Sequence, residues 1–292
     1  MPTQIMAPWA PALAGSIARE LEKQPFVSFQ FATVDEHGSP HVRTVIHRGF
    51  LFDDRSTNVL TFTTDRRMTK YKELFNDSAF ELCFYSHVAR KQFRLRGVAR
   101  CIDDTTTPKL KLPPDIFDQL KNSAEATVTL IADNDNEIET DKIDYLKFPR
   151  STASDELEYP LLSPEVIAKL EASSGEEGLD PEEISAQLTP PTEEEWKNER
   201  RRIWNTLSRS IKSTFRKPTP GSRLTEEKIK LLDSIGRGVD GASDEDGLEN
   251  LVVVVLFVDK VDFVDIGYNG QGRRLIYRRL AGDHWRETAV CP

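Results

Sequence analysis

The chain has 292 residues, of which 38% are hydrophobic and 30% charged, and its formal net charge is −9. This length can bury a substantial core in one or two domains, and the acidic balance argues against nucleic acid as a partner. The longest apolar run, 251–258, has the length of a buried strand and falls short of the roughly 20 residues that span a bilayer. We therefore expect no membrane association.

The first 14 residues lack the basic start and apolar stretch of a secretory signal. Three scattered cysteines, Cys83, Cys101 and Cys291, share no metal-ligand spacing, and no H-x-x-x-H pair of histidines lies on a predicted helix. These features predict a cytoplasmic protein in a reducing compartment, with no metal site.

The N-terminal segment predicts a helix over 8–23. Trp9, Leu13, Ile17 and Leu21 recur every fourth residue and make one apolar face. We expect this face to pack against the structure that follows.

Residues 26–102 predict a series of short strands. Their apolar and polar residues alternate with a period of two, and aromatic and β-branched residues are frequent. The turn residues DEHGSP at 35–40 indicate a hairpin between the first two strands. The predicted order is strand, strand, strand, helix, strand, strand, at 27–33, 41–50, 59–64, 67–75, 79–85 and 92–101. Such density of short strands indicates an antiparallel barrel.

Cations and hydroxyl side chains gather where the third strand meets the helix. They are Arg43, Arg48, Thr63, Thr64, Arg66, Arg67 and Lys70. Free N–H groups and the helix dipole at such a junction favour a bound anion, for example a phosphate. The same residues also fit an ordinary solvated helix start, and they match no glycine-rich phosphate loop. Both interpretations stay open on the residues alone.

The segment resembles the pyridoxamine 5′-phosphate oxidase-like family of FMN-binding split β-barrels. Residues 43–48, RTVIHR, fall on the family motif Arg-x-Val-Leu-Leu-Lys, and residues 63–70, TTDRRMTK, fall on its Tyr-Thr-Asn-x-x-Ser-Arg-Lys run. Lys91 and Gln92 fall on its Arg-Gln pair, and residues 62–97 align without a gap. The resemblance implies a mainly β protein with flanking helices (α+β), built on a split antiparallel β-barrel that binds FMN.

The resemblance also implies the phosphate side of the cofactor site. Arg43 and Lys70 match residues that hold the FMN phosphate. Met68 and Thr69 stand where the family has Ser and Arg, and Arg67 is a candidate substitute for those contacts.

On the flavin side, Arg48 replaces a family lysine near the ring, and Gln92 matches a glutamine at the flavin edge. The run 273–277, RRLIY, places Arg274 on an arginine that reaches the flavin from the other subunit. The resemblance therefore implies a homodimer. The predicted cofactor-binding residues are Arg43, Thr44, Val45, Arg48, Thr63, Thr64, Arg67, Thr69, Lys70, Gln92 and Arg274; no catalytic residue is assigned.

Residues 103–195 form an insert rich in Pro, Ser, Thr and acidic residues. This composition predicts a partly disordered segment, with helices at 115–124, 164–173 and 180–188. The second of these has Ser163 as its predicted N-cap. The insert is either a partner-binding or regulatory arm or a tolerated surface insertion, which costs little entropy.

The C-terminal third returns to regular structure. A strong helix is predicted over 193–215, with Thr192 and Glu195 as a capping box. The pattern W-x-x-LS and F-x-x-P-x-PG within 204–221 resembles a family branch described only as FMN-binding, with no assigned substrate.

Next come a helix at 224–232, a loop at 236–247 and strands at 250–258, 260–268, 273–280 and 285–290. We expect one domain over 1–292, with its barrel in 26–102 and 250–292, interrupted by the insert and the helix.

The substrate side of the family site has a poorer match. An arginine and a histidine of the oxidase correspond to Gly270 and Gly272. The residues that hold its substrate phosphate lie in the family where this chain has its insert, and they have no counterpart here. Three functions stay open: an FMN-dependent oxidoreductase of unassigned substrate, a true pyridoxamine 5′-phosphate oxidase, and a non-catalytic flavin-binding or interaction protein.

Overall fold

Six antiparallel strands close into a barrel in the computed structural model, which describes residues 4–114, 116, 151–152, 154–172, 186–280 and 284–292. The strands are β1 (Ser28–Val34), β2 (Pro40–Phe50), β3 (Val59–Asp65), β4 (Ala79–Ser86), β5 (Lys91–Ile102), β6 (Leu110–Lys111), β7 (Leu157–Glu158), β8 (Leu251–Asp265), β9 (Arg273–Arg279) and β10 (Trp285–Val290). The helices are α1 (Ala10–Leu21), α2 (Thr69–Asn76), α3 (Pro164–Ala172), α4 (Glu193–Thr206), α5 (Arg209–Thr214) and α6 (Glu226–Arg237).

The barrel order is β8-β3-β2-β1-β4-β5, and pairing of β5 with β8 closes it. Strands β9 and β10 extend the sheet from β8, while β6 and β7 form a separate small parallel pair. This architecture confirms the predicted mainly β split barrel with flanking helices. The strands before and after the insert contribute to one barrel.

The prediction of two strands at 250–258 and 260–268 was wrong, because β8 is one strand of 15 residues. Polar Asp259 and Lys260 break the apolar pattern, yet pairing continues through them. Gly97 pairs with Val258 and Arg96 with Lys260, so Asp259 is the extra residue of a bulge. The bulge lets β8 bend, pairing with β3 along its first half and with β9 along its second.

The apolar run 251–258 is buried on both faces, as expected for its composition. Its even-numbered residues join the barrel interior, and its odd-numbered residues join a second core outside the barrel. Helix α4 supplies Trp196, Ile203 and Trp204 to this outer core, and Tyr159 also packs there. The insert and the C-terminal helices therefore cover one side of the barrel.

Helix α1 covers the barrel with Trp9, Leu13 and Ile17, which confirms the predicted apolar face except at its end. Leu21 is 50% exposed because it is the last helical residue. The indole of Trp9 meets that of Trp285 edge to face, with ring centroids 5.8 Å apart. This contact joins the N-terminal helix to the last strand.

The helix predicted over 193–215 is two helices, α4 and α5. Leu207 has an extended backbone, and the hydroxyl of Ser208 accepts the amide of Ile211 as the cap of a new helix. The predicted capping box of Thr192 and Glu195 is present.

Four other predicted helices have different outcomes. The helix predicted at 224–232 extends over Glu226–Arg237, ending at Gly238 with φ 68°. Helix α3 begins after Ser163, whose hydroxyl accepts the amide of Val166, as predicted. The predicted helices at 115–124 and 180–188, and most of the predicted disordered insert, lie outside the described residues.

Gly97 provides a test of the bulge, because a Cβ built there would lie 1.9 Å from the Phe257 carbonyl oxygen. We expect Gly97→Ala to lower the free energy of unfolding by at least about 1–3 kcal/mol, since one of two paired backbones must move. Urea unfolding measures this change. As a control, Gly15→Ala on α1 has open space around its Cβ, and we expect it to stabilise the protein by up to about 1 kcal/mol. Equal stability of Gly97→Ala and wild type would contradict this reading of the bulge.

Candidate functional site

The cations predicted from the sequence surround the end of β3 and the start of α2. The helix begins at Thr69, two residues later than predicted, because the Asp65 carboxylate accepts the amide of Arg67 at 2.8 Å and holds the turn open. Lys70 is therefore the second residue of the helix. The N-terminal ends of helices favour anions, so a lysine here is mildly disfavoured without one.

Lys70 is a partly buried cation with poor partners. Its Nζ donates to the Thr64 hydroxyl at 2.9 Å and lies 2.9 Å from the Met68 sulfur, and within the described residues it forms no ion pair with a carboxylate. A hydroxyl and a thioether do not neutralise an ammonium group. Burial, and then repulsion by Arg43, lower the pKa of Lys70 to about 8. Attraction by Asp65 and Glu73 raises this pKa, but by less. A bound anion would relieve this cost.

Arg48 is a second cation with little compensation. Its Nε donates to the Thr63 hydroxyl at 3.4 Å, and the described part of the chain provides no ion pair for it. Burial lowers the pKa of Arg48. On its neighbour His47, burial and then the Arg48 charge lower the pKa to about 4, so His47 is neutral at pH 7. Arg48 and Lys70 thus contact consecutive threonines of β3, whose side chains point to opposite faces of the strand. Among the described residues, each cation is short of a negative partner.

Arg43, in contrast, is held by the protein. Its Nη2 donates to the Glu73 carboxylate at 2.7 Å, and its Nη1 contacts the Thr33 hydroxyl at 2.5 Å and the His41 carbonyl at 3.0 Å. Its side chain keeps 21% exposure. Arg43 is therefore fixed in orientation, while part of its side chain stays accessible to a ligand.

Arg67 is also held, by a different set of groups. Its guanidinium forms two hydrogen bonds with Asp65 and donates to the carbonyls of Phe215 and Lys217. The hydrogen bond with Asp65 is the main reason that the pKa of Arg67 is raised. Arg67 thus ties the β3–α2 turn to the segment after α5, and these contacts do not place it with Lys70. Its role as a substitute phosphate ligand stays a prediction.

Three further predicted residues have no side-chain hydrogen bond among the described residues. Val45 is buried in the barrel interior, Thr44 is exposed on β2, and Thr69 is exposed at the first position of α2. Their contacts with the cofactor stay predictions.

Gln92 and Arg274 lie together, but on another part of the sheet. Gln92 pairs with Val264, and Val264 pairs with Arg274, so the three side chains form one row across β5, β8 and β9. The buried Asp262 carboxylate accepts two hydrogen bonds from Arg274, at 2.9 and 2.8 Å, and also binds Arg94.

This row lies far from Lys70 along the same strand. Thr64, the partner of Lys70, pairs with Val252, whereas Arg274 pairs with Val264. The two positions are 12 residues apart on β8, which corresponds to a path of roughly 40 Å along this bent strand. Within one copy of the chain, the predicted phosphate and flavin-edge residues therefore do not meet.

Sequence reasoning missed two carboxylates, Glu73 and Asp262, that hold the predicted arginines. Glu73 follows Lys70 by three residues on α2, a spacing that places both on one helix face and could have revealed it. Asp262 lies in the long apolar strand, and no local pattern connects it to Arg274. Among the described residues, no group of three or more His, Cys, Asp or Glu side chains could hold a metal ion.

Comparisons with known proteins agree with this fold. A protein-family model described as "Pyridoxamine 5'-phosphate oxidase, FMN-binding domain" matches residues 6–103. An uncharacterized protein of Saccharomyces cerevisiae is 38% identical over 306 residues, covering 98% of this chain and 99% of the yeast protein. Pyridoxine/pyridoxamine 5'-phosphate oxidase 2 of Arabidopsis thaliana is 32% identical over 107 residues, which is 37% of this chain and about half (52%) of the plant enzyme.

Two solved structures share the fold over the whole chain. A pyridoxamine 5'-phosphate oxidase-related, FMN binding protein of Nostoc punctiforme has a TM-score of 0.58 at 21% identity, covering 98% of this chain and 99% of that chain. PhzG of Burkholderia lata has a TM-score of 0.51 at 12% identity and covers both chains completely. The fold is that of a split β-barrel, and residues 6–103 match a domain family described as FMN-binding. The chain belongs to the pyridoxamine 5′-phosphate oxidase-like family.

The yeast relative, which spans nearly the whole chain, is itself uncharacterized. None of the helices that the structure describes is long and apolar enough to cross a membrane.

The depressed pKa of Lys70 predicts that its charge destabilises the folded protein. This penalty is full below pH 8 and is relieved as the pH rises from about 8 towards the ordinary value of 10.5. With allowance for its partial exposure, we expect Lys70→Met to raise the free energy of unfolding by about 1–2 kcal/mol at pH 7, and by less at pH 10. Urea unfolding at both pH values measures the difference.

The matched control is Lys72→Met, at an exposed position two residues further along α2, which we expect to leave stability unchanged. A Lys70→Met protein less stable than wild type at pH 7 would show that the lysine is well compensated.

Proposed function

We propose that this protein binds FMN and acts as an FMN-dependent oxidoreductase on a substrate not yet assigned. The observation that carries the proposal is Lys70, a partly buried ammonium with no carboxylate partner among the described residues. Its position at the start of α2, in the segment matched by the FMN-binding family model, supports a phosphate as the missing anion.

The donor set fits the phosphate end of FMN. A phosphate monoester carries about −1.5 to −2 charge at neutral pH and accepts several charge-assisted hydrogen bonds. Lys70 and Thr64 would hold it together with the accessible edge of Arg43, and Arg48 with Thr63 would lie on its flavin side. FMN ends in one such group, whereas FAD continues into a pyrophosphate and a second nucleoside.

When bound, the flavin supplies the electron-transfer chemistry, and the protein's residues bind and orient it. Three cysteines that are all unpaired support a reducing compartment, the cytosol, as the place of action. We also propose that residues 1–292 act as one domain.

We further propose a homodimer in which two copies complete each site. The separation of Lys70 from Gln92 and Arg274 along β8 supports this proposal, because one mononucleotide does not extend over roughly 40 Å. In a twofold dimer, the Gln92–Arg274 row of one copy can approach the Lys70 cluster of the other. Such an interface is self-complementary and forms two equivalent sites.

A second candidate is oxidation of pyridoxamine 5′-phosphate, which the similarity to the Arabidopsis enzyme favours. The turn between β8 and β9 speaks against it: Gly270 and Gly272 have φ values of 73° and 81° there and offer no charged side chain. Oxygen consumption with pyridoxamine 5′-phosphate would select this activity. Flavin reduction by NAD(P)H or another small donor would select an oxidoreductase of a different kind, and bound FMN without turnover would indicate a binding protein.

The cofactor proposal predicts selectivity for the phosphate. Mass spectrometry of the released chromophore should find FMN rather than FAD. In fluorescence titrations, we expect Lys70→Met to weaken FMN binding by about 10–100-fold, the value of one charge-assisted hydrogen bond. Riboflavin, which lacks the phosphate, should bind the variant and wild type alike. Lys72→Met is the control, and equal losses for both ligands would exclude Lys70 as a phosphate ligand.

The dimer proposal predicts complementation between two defective variants. We expect Lys70→Met and Arg274→Ala each to bind FMN weakly. When they are unfolded, mixed in equal amounts and refolded together, half of the dimers are mixed, and each mixed dimer holds one native site. About a quarter of all sites should then recover tight FMN binding. Absence of recovery, or a flavin-loaded monomer in light scattering, would show that each copy has a complete site.

A further inference from the structure

Glu73 is a buried carboxylate that binds three groups of the β1–β2 hairpin. Its side chain is 3% exposed; Oε2 accepts from the Thr33 hydroxyl at 2.5 Å and from Arg43 Nη2 at 2.7 Å, while Oε1 lies 2.5 Å from His41 Nδ1. Burial alone would raise the pKa of Glu73, but the hydrogen bonds from these three groups outweigh it and lower the pKa. Glu73 is therefore negatively charged at neutral pH.

The hydrogen bonds of Arg43 leave one edge of its guanidinium available. Nη1 faces three oxygens, those of Phe31, Thr33 and His41, and Nη2 donates one hydrogen to Glu73. A guanidinium has five N–H donors. Within the described residues, Nε–H donates to no group and Nη2 has a second hydrogen. When Glu73 accepts the Nη2 hydrogen on the Nη1 side, Nε–H and the other Nη2 hydrogen lie parallel on one free edge of the group. This paired edge is the geometry that binds a phosphate with two hydrogen bonds.

Glu73 also connects Arg43 to Lys70. Lys70 precedes Glu73 by three residues on α2, so the two side chains share a helix face. Arg43 and Lys70 are close enough for Arg43 to lower the pKa of the lysine, and Glu73 acts on it in the opposite direction. The carboxylate therefore lies between two like charges that would otherwise repel each other.

We propose that Glu73 is a positioning residue, which fixes Arg43 by its Nη groups so that the Nε–Nη2 edge faces the anion bound by Lys70. The chemical class of that ligand is a phosphate monoester, and the inference rests on the FMN site proposed above. Glu73 does not touch the ligand; it acts through Arg43. In this way one buried carboxylate selects a phosphorylated flavin over an unphosphorylated one.

The negative charge of Glu73 and its role in orienting Arg43 predict opposite changes in FMN affinity for a neutral variant such as Glu73→Gln. A carboxylate repels a nearby phosphate, so if Arg43 stayed in place without Glu73, removal of the negative charge would strengthen FMN binding. If Glu73 is needed to orient Arg43, the loss of a bidentate hydrogen bond dominates and binding weakens. The sign of the change in affinity therefore decides between the two.

The experiment compares Glu73→Gln with wild type by titrating FMN and riboflavin, with thermal melts to monitor folding. We expect Glu73→Gln to weaken FMN binding by about tenfold, the equivalent of 1.4 kcal/mol, and to leave riboflavin affinity within about twofold of wild type. FMN binding that is unchanged or tighter in a folded variant overturns the proposal. Equal losses for both ligands also overturn it, because they indicate a purely structural role.

Two companion variants keep the test decisive. His41→Asn removes the group at Oε1 without touching Arg43, so we expect little change in FMN affinity. Thr33→Val removes the hydroxyl between Arg43 and Glu73 with little change in shape, and we expect an FMN-specific loss of the same sign as for Glu73→Gln.

If Glu73→Gln does not fold, the result with Thr33→Val decides: a loss restricted to FMN supports the proposal, and no loss overturns it. A wild-type protein that binds no FMN would refute the proposed function itself. If the wild type binds FMN and Glu73→Gln binds it with the same affinity, only this inference is refuted.

Discussion

Strand β8 carries the constraint on which the rest of the structure depends. It pairs with β5 to close the barrel, with β3 at its first half and with β9 at its second. Its first eight residues are buried on both faces, between the barrel interior and the outer core built on α4. Burial of this much apolar surface is the main source of folding free energy. The long strand also sets the distance between the two groups of predicted cofactor residues, since one group lies beside each of its ends.

The charged residues of the site divide into two kinds. Arg43, Arg67 and Arg274 each bind a carboxylate that is almost fully buried, namely Glu73, Asp65 and Asp262. Breaking such pairs leaves an uncompensated charge, so these arginines are fixed in orientation. Lys70 and Arg48 have only hydroxyl or thioether contacts in the described part of the chain. An anion gains most from cations whose charge the protein has not already compensated, which makes Lys70 the centre of the proposed site.

This division also separates binding from orientation. A lysine at a helix start is a compact point charge with a flexible stem, whereas a clamped guanidinium presents a planar edge in one direction. The proposed site combines one of each: Lys70 supplies attraction, and Arg43, held by Glu73, supplies geometry. The Gln92–Arg274 row has a similar arrangement, because the buried Asp262 carboxylate binds both Arg94 and Arg274. Buried carboxylates thus support the arginines that are predicted to contact the cofactor.

The sequence by itself determined the class of fold and most of the secondary structure, because strands and helices have local periods that alternation and apolar spacing reveal. It also predicted Arg43, Lys70 and Arg274 as cofactor-binding residues, since the family motifs are local. Only the tertiary structure decided that 250–268 contains one bulged strand, because pairing with two neighbours outweighs the polar residues at its centre. Only it showed that Glu73 and Asp262 hold the arginines and that Lys70 forms no ion pair with a carboxylate among the described residues. Ion pairs and burial depend on residues far apart in the chain, and no local pattern in the sequence records which of them meet.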